Sequence, residues 1–582
     1  MSNKNLKRKK KPSAFQLAKK AARQGDRTGN LDNEAFQYVF HILETISKEW
    51  DPNMEDRDIF INNVYEQVKG KEVDFARNKV GSRVIEHLIT YGDIDLIQKF
   101  DEAFSDALRP MCGDMAASFV IQKLMSVCAQ KGNPTKSEQE TSGTAEVKDS
   151  EIEKYNKIAF KLCKYAINNI EEFVWDRYAN HVLRTALECL GGLISVKKNN
   201  DKSPQLGERR KVTKEYENLL VAACKGLLKF PQFQEFCQDD LTSGFVQSVL
   251  YSLKDVDSDV VSAIIGRVNT ECFKRNTQDM LSNIFINECS VRLLEACIAV
   301  SNPKDFTEIY ERYFQDKLGE LSIMKSANFS VQRLLENCHT KEDMEKIFDE
   351  IVEYLPAILE KRYTGVFASL SKACARLHAK QGPFVNAMFK LLHCDEPIER
   401  HVQIVPLTAM LKTFEDWESV KDESKNKFPI NIHGSLTVQA MLSFNKPIKI
   451  VTSLLDLNAE DLVKLFDDPK GSRIVDAFMQ SQYIGEKSRE RLAKKLQGTW
   501  VKLACSKHGS WCLEKIWAWA KLNQQYAIME ELASVGQLLC STESGKLISS
   551  KLNVPLFARN KKDWAESQGK EDKTEALFAD II

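Results

Sequence analysis

Apolar residues recur along most of the chain in pairs separated by two other residues, which is the spacing of a buried stripe on an amphipathic helix. Val84, Ile85, Leu88 and Ile89 form one such set. A short phrase recurs with the stripe: a small polar residue, any residue, two apolar residues, and then Gln or Glu. We name the small polar residue the first position of the phrase, the next residue the second, and the Gln or Glu the fifth. Each phrase predicts one helix with a buried side and a polar side.

Copies of the phrase are evenly spaced where the chain has no long polar insertion. Ser82 lies 36 residues before Ser118, and the intervals from Ser435 to Ser472 and from Ser472 to Ser510 are 37 and 38 residues. A period of this size indicates a repeat array in which each unit contributes two or three short helices. The seven clear copies have their first positions at Ser82, Ser118, Ser243, Asn328, Ser435, Ser472 and Ser510.

Four weaker copies fill the longer intervals and bring the array to about eleven units. They lie at Asn180, at Asn287 or Val291, near Thr364 and near Gly545. One helix pair cannot bury its own apolar side, so neighbouring units must stack and share an elongated core. The pattern therefore predicts an all-α fold, an α-solenoid of about eleven repeats. A solenoid whose repeats serve packing only, and which binds other proteins, is the alternative.

Segments without apolar periodicity flank or interrupt the array, which we place at 33–554. We predict a basic N-terminal arm over 1–32 and a charged, loosely ordered C-terminal tail over 555–582. Five consecutive basic residues at positions 7–11 suit a nuclear or nucleolar address or an RNA contact, and a solvated tail without a specific role is the alternative. Three disordered inserts are expected at about 131–150, 197–213 and 415–427.

Composition narrows the classes of function. Lys and Arg number 82 and balance 82 Asp and Glu, so net charge does not indicate a polyanionic partner. The fifteen cysteines lack a C-x-x-C pair, and the nine histidines lack an H-x-x-x-H pair, so we predict no metal, no cofactor and no enzymatic activity. Neither a signal-peptide core nor an apolar stretch of about 18 residues occurs, and we expect no membrane partner.

The first, second and fifth positions project from one surface of the helix. A helix that serves packing only has no need to repeat the same combination there. A base in single-stranded RNA offers a hydrogen-bonding edge and two π faces. A protein that recognises it needs amides, hydroxyls or carboxylates for the edge, and a planar or cationic group for stacking. The phrases supply both, as in Ser118, Phe119 and Gln122.

The phrases GSRVIEH, ASFVIQK, ANFSVQR, GSLTVQA and GSWCLEK resemble the RNA-reading helices of Pumilio (PUF) repeats. The resemblance implies that first and fifth positions bond the edge of one base, while the second stacks between bases. An ionised carboxylate only accepts hydrogen bonds and the guanine edge presents donors, so Ser with Glu suits guanine. The family's pairing rule implies adenine for Ser with Gln and uracil for Asn with Gln. The candidate RNA-binding residues are Ser82, Arg83, Glu86, Ser118, Phe119, Gln122, Asn180, His181, Arg184, Ser243, Gln247, Asn328, Phe329, Gln332, Ser435, Gln439, Ser472, Arg473, Asp476, Ser510, Trp511 and Glu514.

Several repeats depart from the family's pattern, at Arg184, Gly244, Gly365, Ala368 and Asp476. Glycine and alanine offer neither a stacking group nor an edge contact. Asp476 is one methylene shorter than the usual carboxylate, and Arg184 is a candidate phosphate contact. We therefore expect partial sequence specificity, with some repeats contributing backbone contacts or structure only. For the aromatic second positions, packing in the core is the alternative.

The phrases DMAASFVIQKLM, DRYANHVLRTAL, GSRIVDAFM and HGSWCLEKIW, the long inserts and the lysine-rich start resemble a nucleolar, ribosome-biogenesis branch of the Pumilio family. This resemblance implies a U- or C-shaped solenoid that binds single-stranded pre-rRNA among small-subunit pre-ribosome components. It would bind the 18S rRNA precursor near its 3′-end cleavage site and shield that site from premature endonuclease cleavage. We expect a monomer. The alternatives are a Pumilio-like nucleic-acid binder of the L-shaped ribosome-factor type and a protein-binding α-solenoid adaptor.

Overall fold

The computed structural model describes residues 31–49, 56–135, 149–193, 209–231, 233–237, 239–273, 284–419 and 428–567. Residues 1–30 of the predicted basic arm, and residues 136–148, 197–208 and 420–427 of the predicted inserts, lie outside these ranges. The chain divides into two compact units, Met1–Asn302 and Pro303–Ile582. Within the described residues the regular elements are helices, and one isolated antiparallel bridge joins Leu193 to Arg209.

All eleven phrases lie on or at the start of helices, which we name the repeat helices. The first unit contains five of them: α1 Gly81–Tyr91, α2 Ala117–Gly132, α3 Ala179–Leu190, α4 Asp240–Leu253 and α5 Glu288–Val300. The second unit contains six: α6 Asn328–Asn337, α7 Gly365–Arg376, α8 Ile432–Leu442, α9 Ser472–Gln480, α10 Lys507–Trp519 and α11 Glu543–Lys551.

The remaining helices surround the repeat helices and pack beside them. Those of the first unit are Asn33–Glu49, Arg57–Val68, Glu72–Arg77, Ile94–Ser105, Leu108–Cys112, Asp149–Asn168, Ile170–Phe173, Lys214–Leu227, the 3-10 turn Phe233–Cys237, Ser258–Arg267 and the π-helical turn Val268–Cys272. Those of the second unit are Pro303–Tyr313, Leu318–Ser322, Lys341–Ile351, the 3-10 turn Val352–Tyr354, Leu355–Lys361, Gln381–Leu391, the 3-10 turn Ile398–Gln403, Ile404–Met410, Phe414–Glu418, Ile448–Asp456, Ala459–Phe466, Glu486–Lys495, Trp500–Cys505, Leu522–Ser534, Gly536–Leu539 and Val554–Arg559.

Repeat helices stack on their neighbours in chain order, from α1 to α5 in the first unit and from α6 to α11 in the second. The apolar pairs of each phrase form the interfaces: in α1, Val84, Ile85, Leu88 and Ile89 are all buried. Burying one such side chain stabilises the fold by about 1.5–3 kcal/mol. Each unit thus builds its core repeat by repeat, and the prediction of an all-α repeat fold is confirmed.

Glycine precedes the first position in five repeats because the helix begins against the backbone of the short helix before it. A Cβ atom added to Gly471 would lie 2.0 Å from the carbonyl oxygen of Leu465, and one added to Gly545 would lie 2.0 Å from that of Leu539. Both distances are far inside van der Waals contact, so only a residue without a Cβ permits this approach. The other three glycines of this kind are Gly81, Gly434 and Gly509.

Side-chain caps fix the start of several repeat helices four residues before the first position. Asp239 at α4, Asn431 at α8 and Ser506 at α10 each accept hydrogen bonds from backbone N–H groups of the first turn. Asn287 does the same at α5. A cap of this kind stabilises a helix by about 1 kcal/mol. The caps therefore set the register in which each phrase enters its helix.

The prediction of a loosely ordered tail from 555 is wrong for its first part. Helix Val554–Arg559 is followed by helical residues 561–567. Trp564 is fully buried, and its Nε1 donates a hydrogen bond of 2.9 Å to the carbonyl oxygen of Leu552. Its ring meets that of Phe557 edge-on, with 5.0 Å between centroids. These aromatic side chains extend the folded array beyond its predicted end.

The predicted bounds of the inserts are too wide. Helix Ala117–Gly132 runs past the start of the first insert, and helix Asp149–Asn168 begins before its end. Helix Phe414–Glu418 likewise enters the third insert.

The described end of the second insert is anchored by Arg209. Its guanidinium donates hydrogen bonds to the carbonyl oxygens of Gly191 and Ser252 at 2.9 and 2.8 Å. These carbonyls lie beside the C-terminal ends of α3 and α4, where helix carbonyls lack partners within the helix. Arg209 therefore joins the insert to two repeats. Among the described helices, none combines the length and the apolar character needed to cross a membrane.

Candidate nucleic-acid interface

Exposure differs between the three positions of the phrase. In the repeat helices other than α7 and α11, first positions are buried and fifth positions are half-buried. Second positions are exposed wherever they carry a ring or a guanidinium. Phe119, Phe329 and Trp511 expose 47%, 63% and 45% of their surface. Large apolar side chains are ordinarily buried, so these values exclude core packing for the three rings.

First-position side chains tie consecutive repeats together. The Ser243 hydroxyl donates to the carbonyl oxygen of Cys289 at 2.9 Å, and the Ser435 hydroxyl donates to that of Lys470 at 2.7 Å. Asn180 is fully buried, and its Nδ2 donates to the carbonyl oxygen of Val174 at 2.8 Å. This geometry differs from the expected edge contact, which Asn180 cannot make from the interior.

Fifth-position amides are held by the first position of the same phrase. In three repeats the glutamine Nε2 donates to the side-chain oxygen one helical turn earlier, whereas the Gln122 Nε2 donates to the backbone carbonyl oxygen of Ser118 at 3.1 Å. A side chain fixed in this way loses less conformational freedom when it binds a ligand. The first position therefore orients the group that reaches the surface. The pairs are Ser243 with Gln247 at 3.1 Å, Asn328 with Gln332 at 3.2 Å, and Ser435 with Gln439 at 3.0 Å.

Fifth-position carboxylates are paired with cations instead. Two of the cations come from the second position of the same phrase, and one comes from the next repeat helix. Exposed ion pairs of this kind contribute only about 0.2–1 kcal/mol. A base edge that competes for the carboxylate therefore meets little resistance. The pairs are Glu86 with Arg83 at 3.2 Å, Asp476 with Arg473 at 3.3 Å, and Glu514 with Lys551 at 2.8 Å.

Second positions of neighbouring repeats meet at the surface between α1 and α2. The Arg83 guanidinium carbon lies 5.7 Å from the centroid of the Phe119 ring. Both side chains remain exposed, so each offers a planar face to solvent. We call this contact an open junction, because the two second positions leave the surface between the helices available to a ligand.

The contact between α3 and α4 is closed. Arg184 donates from Nε to the Ser248 hydroxyl at 3.0 Å, and a Cβ atom on Gly244 would lie 2.9 Å from its Nη1. Burial lowers the pKa of Arg184, and burial also raises the pKa of the neighbouring Glu188. Arg184 is thus bonded within the protein through its Nε, and its phosphate contact stays a prediction.

A second closed junction lies between α6 and α7. A Cβ atom on Gly365 would lie 2.3 Å from Oε1 of Gln332. Gly365 is the second position of its phrase, and Gln332 is the fifth position of the preceding phrase. Gly244 and Arg184 have the same two positions at the first closed junction. Glycine at the second position thus accommodates the preceding fifth-position side chain. Ala368, the fifth position of α7, is buried and adds no polar group.

The structure decides the uncertain register of α5 in favour of Val291. The cap of this helix is Asn287, and caps lie four residues before the first position in the clear repeats. The second and fifth positions are then Arg292, which is exposed, and Glu295, which is half-buried. Sequence analysis missed both residues because valine replaces the small polar residue. The asparagine cap was the signal that identifies them.

The register of α11 also moves, by one residue. Gly545 packs as the glycine that precedes the first position, and Thr542 caps the helix. The first, second and fifth positions are therefore Lys546, Leu547 and Ser550. Leu547 is 69% exposed, which continues the pattern of exposed second positions.

Three histidine side chains on this surface favour their neutral forms. Burial and the nearby Lys123 charge lower the pKa of His87 to about 4. Burial and Arg184 lower the pKa of His181, and burial lowers that of His433. At neutral pH these rings carry no charge, so the positive charge of the surface comes from arginine and lysine.

Cysteine and metal-ligand chemistry is sparse in the described part of the chain. Cys112 and Cys374 are buried, and burial raises the pKa values of their thiols to about 12. Thiols in this state are poor nucleophiles. Among the described residues, His, Cys, Asp and Glu form no group of three or more that suits a metal ion.

The family model of the NOP9-like PUF repeat domain matches residues 70–547. The chain belongs to the NOP9-like PUF repeat family. Human nucleolar protein 9 is 26% identical over 95% of this chain and 91% of its own length. Pumilio homolog 23 of Arabidopsis thaliana is 24% identical over 94% of this chain and 74% of its own length. The solved structure of APUM23 with GGAAUUGACGG matches with a TM-score of 0.69 at 23% identity, covering 92% of this chain and 99% of that one.

Family membership confirms the Pumilio-type solenoid and the resemblance to the nucleolar branch. The predicted nucleolar location agrees with the name nucleolar protein 9, which the human, mouse and fungal relatives carry. The NOP9-like PUF repeat family is an RNA-binding family of ribosome biogenesis rather than a known class of enzyme. Which residues of this chain contact RNA stays a prediction.

Proposed function

We propose that this chain binds single-stranded RNA of the 18S rRNA precursor near its 3′-end cleavage site and shields that site from premature endonuclease cleavage. One observation carries the proposal: planar side chains stand exposed at the second positions of stacked repeat helices. Exposing several large rings on one kind of site is unfavourable in water and indicates a ligand that covers them.

Each exposed second position would stack against one or two bases. Base stacking on an aromatic side chain contributes about 1–3 kcal/mol per base and tolerates any base. The rings are Phe119, Phe329 and Trp511, and the guanidinium groups of Arg83, Arg292 and Arg473 supply the same planar contact in other repeats. Fifth positions would add edge contacts, with glutamine amides and carboxylates as the groups that discriminate between bases.

The closed junctions give the proposed site a mixed character. We leave Arg184 and Asn180 out of the proposed contacts, because the Arg184 Nε and the Asn180 Nδ2 donate hydrogen bonds within the protein. Gly244 and Gly365 offer no stacking surface. The RNA would therefore be held at separated repeats, with stretches between them that are bound less tightly.

Support for the rRNA precursor comes from the family rather than from the repeats. The relatives named nucleolar protein 9 span 95% of this chain in human and mouse. Pumilio-type recognition of a single strand accounts for shielding without any catalytic group, because RNA held along the repeat helices is out of reach of an endonuclease active site. We further propose that the chain acts as a monomer among small-subunit pre-ribosome components.

Binding to a precursor fragment that spans the 3′ end of the 18S sequence tests the proposal. The triple variant Phe119→Ala, Phe329→Ala and Trp511→Ala is expected to lose at least a hundredfold in affinity, since three stacking contacts of about 1–3 kcal/mol each are removed. Addition of the unmodified chain should also slow cleavage of the fragment by the maturation endonuclease, and the triple variant should not.

Ile398 and Ile448 provide the matched control, because they are 76% and 71% exposed but lie outside the repeat helices. The double variant Ile398→Ala and Ile448→Ala should bind RNA like the unmodified chain. Equal affinities for the triple variant and the unmodified chain would contradict RNA binding at the second positions. Binding without protection from cleavage would contradict the shielding role alone.

A further inference from the structure

A groove lies beside the C-terminal ends of α7 and α8, next to the fifth position of α8. Its volume is about 480 Å³, and its lining includes Lys372, Leu436, Gln439 and Tyr483. Tyr483 is 36% exposed, so its ring is open to a ligand. We call this feature the Tyr483 groove. It is wide enough for a planar group and combines an aromatic ring, an amide and a cation.

The ring of Tyr483 is held at the groove by the loop that follows α9. The Ser481 hydroxyl donates to the carbonyl oxygen of Leu442 at 2.8 Å and accepts a hydrogen bond from the Tyr483 backbone N–H at 3.2 Å. Leu442 is the last residue of α8. These hydrogen bonds hold the loop against the C-terminal end of α8, and they fix the backbone that carries the Tyr483 ring.

The cations at the groove have different roles. The Arg376 guanidinium donates to the carbonyl oxygens of Leu335 and Cys338 at 3.0 and 2.6 Å, where it satisfies the C-terminal end of α6. Lys372 is exposed one helical turn earlier on α7. Its side chain is suited to pair with a phosphate group, because a flexible stem can bring the compact ammonium charge close to it.

The repeat beside the groove does not hold a base by stacking. Gly365 occupies the second position of α7, and the Gln332 amide fills the space above it. Ala368 occupies the fifth position and is buried. A nucleotide that passes α7 therefore meets neither a ring nor an edge-bonding group, and it is free to leave the stack of bases.

We propose that the Tyr483 groove binds one nucleotide of the RNA strand that has left the stack at α7. Its base stacks on the Tyr483 ring and its phosphate is paired with Lys372. Gln439 borders the groove and is also the fifth position of α8, so this nucleotide is adjacent in the strand to the one bound at α8. The inference rests on the proposed function and adds a binding site that the three phrase positions do not include.

The equivalent groove in the first unit lacks this chemistry. It lies beside the C-terminal ends of α2 and α3, has a volume of about 240 Å³ and is bordered by Glu188 and Cys189. Its described lining contains no aromatic ring, and Glu188 is the group whose pKa burial raises. A carboxyl group repels phosphate when ionised. This groove also includes Arg210, whose Nη1 donates to the carbonyl oxygen of Asn133 at 3.2 Å. A cation is therefore present at both grooves, and the Tyr483 ring is the distinguishing group.

A cycle that combines protein variants with abasic RNA tests the proposal. Tyr483→Leu is expected to weaken binding about tenfold, within the range for loss of one stacked base, and Tyr483→Phe should retain binding. An abasic residue at one nucleotide, next to the one bound at α8, should weaken binding of the unmodified chain by a similar factor. With that RNA, Tyr483→Leu should cause no further loss.

Lys372→Ala should lower affinity on all sequences and reduce the steepness of its salt dependence by about one unit of log affinity per log salt. 2-Aminopurine at the same nucleotide should lose fluorescence when it binds the unmodified chain, which requires no variant to fold. A rise in fluorescence would overturn the groove site. The site would also be overturned if, at every abasic position tested, the loss of affinity from Tyr483→Leu simply added to the loss from the abasic residue.

Trp511→Ala separates failure of the groove from failure of the proposed function. If Trp511→Ala weakens binding while Tyr483→Leu does not, the groove proposal is wrong and RNA binding at the second positions stands. If neither change alters affinity, the proposed function is wrong as well.

Discussion

Two junctions of the first unit have similar helix packing and opposite surfaces. At the open junction between α1 and α2, the Arg83 guanidinium and the Phe119 ring are both exposed. At the closed junction between α3 and α4, the Arg184 guanidinium lies against Gly244 and bonds Ser248. In both pairs the apolar residues of the phrase form the interface between helices.

The difference shows that one residue decides whether a repeat offers its surface to a ligand. A ring or guanidinium at the second position is exposed to solvent, as Arg83 and Phe119 are at the open junction. Glycine at that position leaves a space into which the preceding fifth-position side chain folds, as Gln332 also does at Gly365. An array can therefore keep its period and its core while individual repeats lose their contact with RNA.

The largest effect is expected from a substitution that displaces the start of a repeat helix. The start of a helix determines which of its residues face the neighbouring repeat at a junction. Gly471→Ala would bring a Cβ atom against the Leu465 carbonyl, which cannot move without shifting backbone. We expect a loss of about 3 kcal/mol in the free energy of unfolding of the second unit, measured by urea denaturation. The control in the same unit is Gly536→Ala, because nothing lies within 4 Å of a Cβ there and alanine favours helix. An unchanged urea midpoint for Gly471→Ala would show that the helix start is not sterically fixed.

Substituting one arginine at each junction should have opposite effects on stability and on RNA binding. Arg184→Met removes a buried hydrogen bond and leaves Glu188 without its neighbouring cation, so the free energy of unfolding should fall by about 2 kcal/mol. Its RNA affinity should not change. Arg83→Met should do the opposite, with stability altered by less than about 0.5 kcal/mol and RNA binding weakened by about 1 kcal/mol. Weaker RNA binding by a well-folded Arg184→Met would restore that residue as a phosphate contact.

Sequence reasoning succeeded where a repeated pattern carried the information. The phrase around Ser82 predicts a helix whose apolar pairs face the core, and Val84, Ile85, Leu88 and Ile89 are all buried. The closed junction was out of reach, because Arg184 and its partner Ser248 are 64 residues apart in the chain. Periodicity also indicates a side of the helix rather than depth, so it did not show that first positions such as Asn180 are fully buried.

Trp564 and Val291 were missed for different reasons. Trp564 lies in a charged segment whose single tryptophan does not form a periodic pattern, yet it packs on Phe557. Val291 replaces the polar residue by which the phrase was recognised. The helix cap at Asn287 is a weaker signal in sequence than in structure, where its hydrogen bond to the Cys289 N–H fixes the register.

A smaller effect is expected where glycine meets a flexible group rather than backbone. Gly244→Ala requires the Arg184 guanidinium to move from a contact of 2.9 Å, at a cost of about 1 kcal/mol in the free energy of unfolding. Gly226→Ala is the control in the same unit, since nothing lies within 4 Å of a Cβ there. Thermal unfolding compares the two variants. Equal midpoints would mean that Arg184 yields without loss and that the closed junction is loosely held.

The smallest effect is a difference between the junctions in their response to acid. His87 lies at the open junction, where burial lowers its pKa from 6.5 to about 4. Between these pH values the unfolded chain binds a proton that the folded chain does not, so stability from this group is lost as pH falls from 6.5 to 4. Glu188 at the closed junction has a pKa raised above 4.5. Its contribution is full below pH 4.5 and is lost as pH rises through the folded pKa.

The two groups therefore give slopes of opposite sign, and single variants isolate them. His87→Gln should flatten the fall in unfolding free energy between pH 6.5 and 4, while Glu188→Gln should remove the fall that accompanies rising pH above 4.5. The first change is modest because the imidazole ring is only half-buried and water screens its charge. Urea midpoints measured across this pH range decide the sign for each variant. If His87→Gln keeps the slope of the unmodified chain, the open junction is hydrated enough to accept a charged histidine, and it would then bind phosphate more strongly in acid.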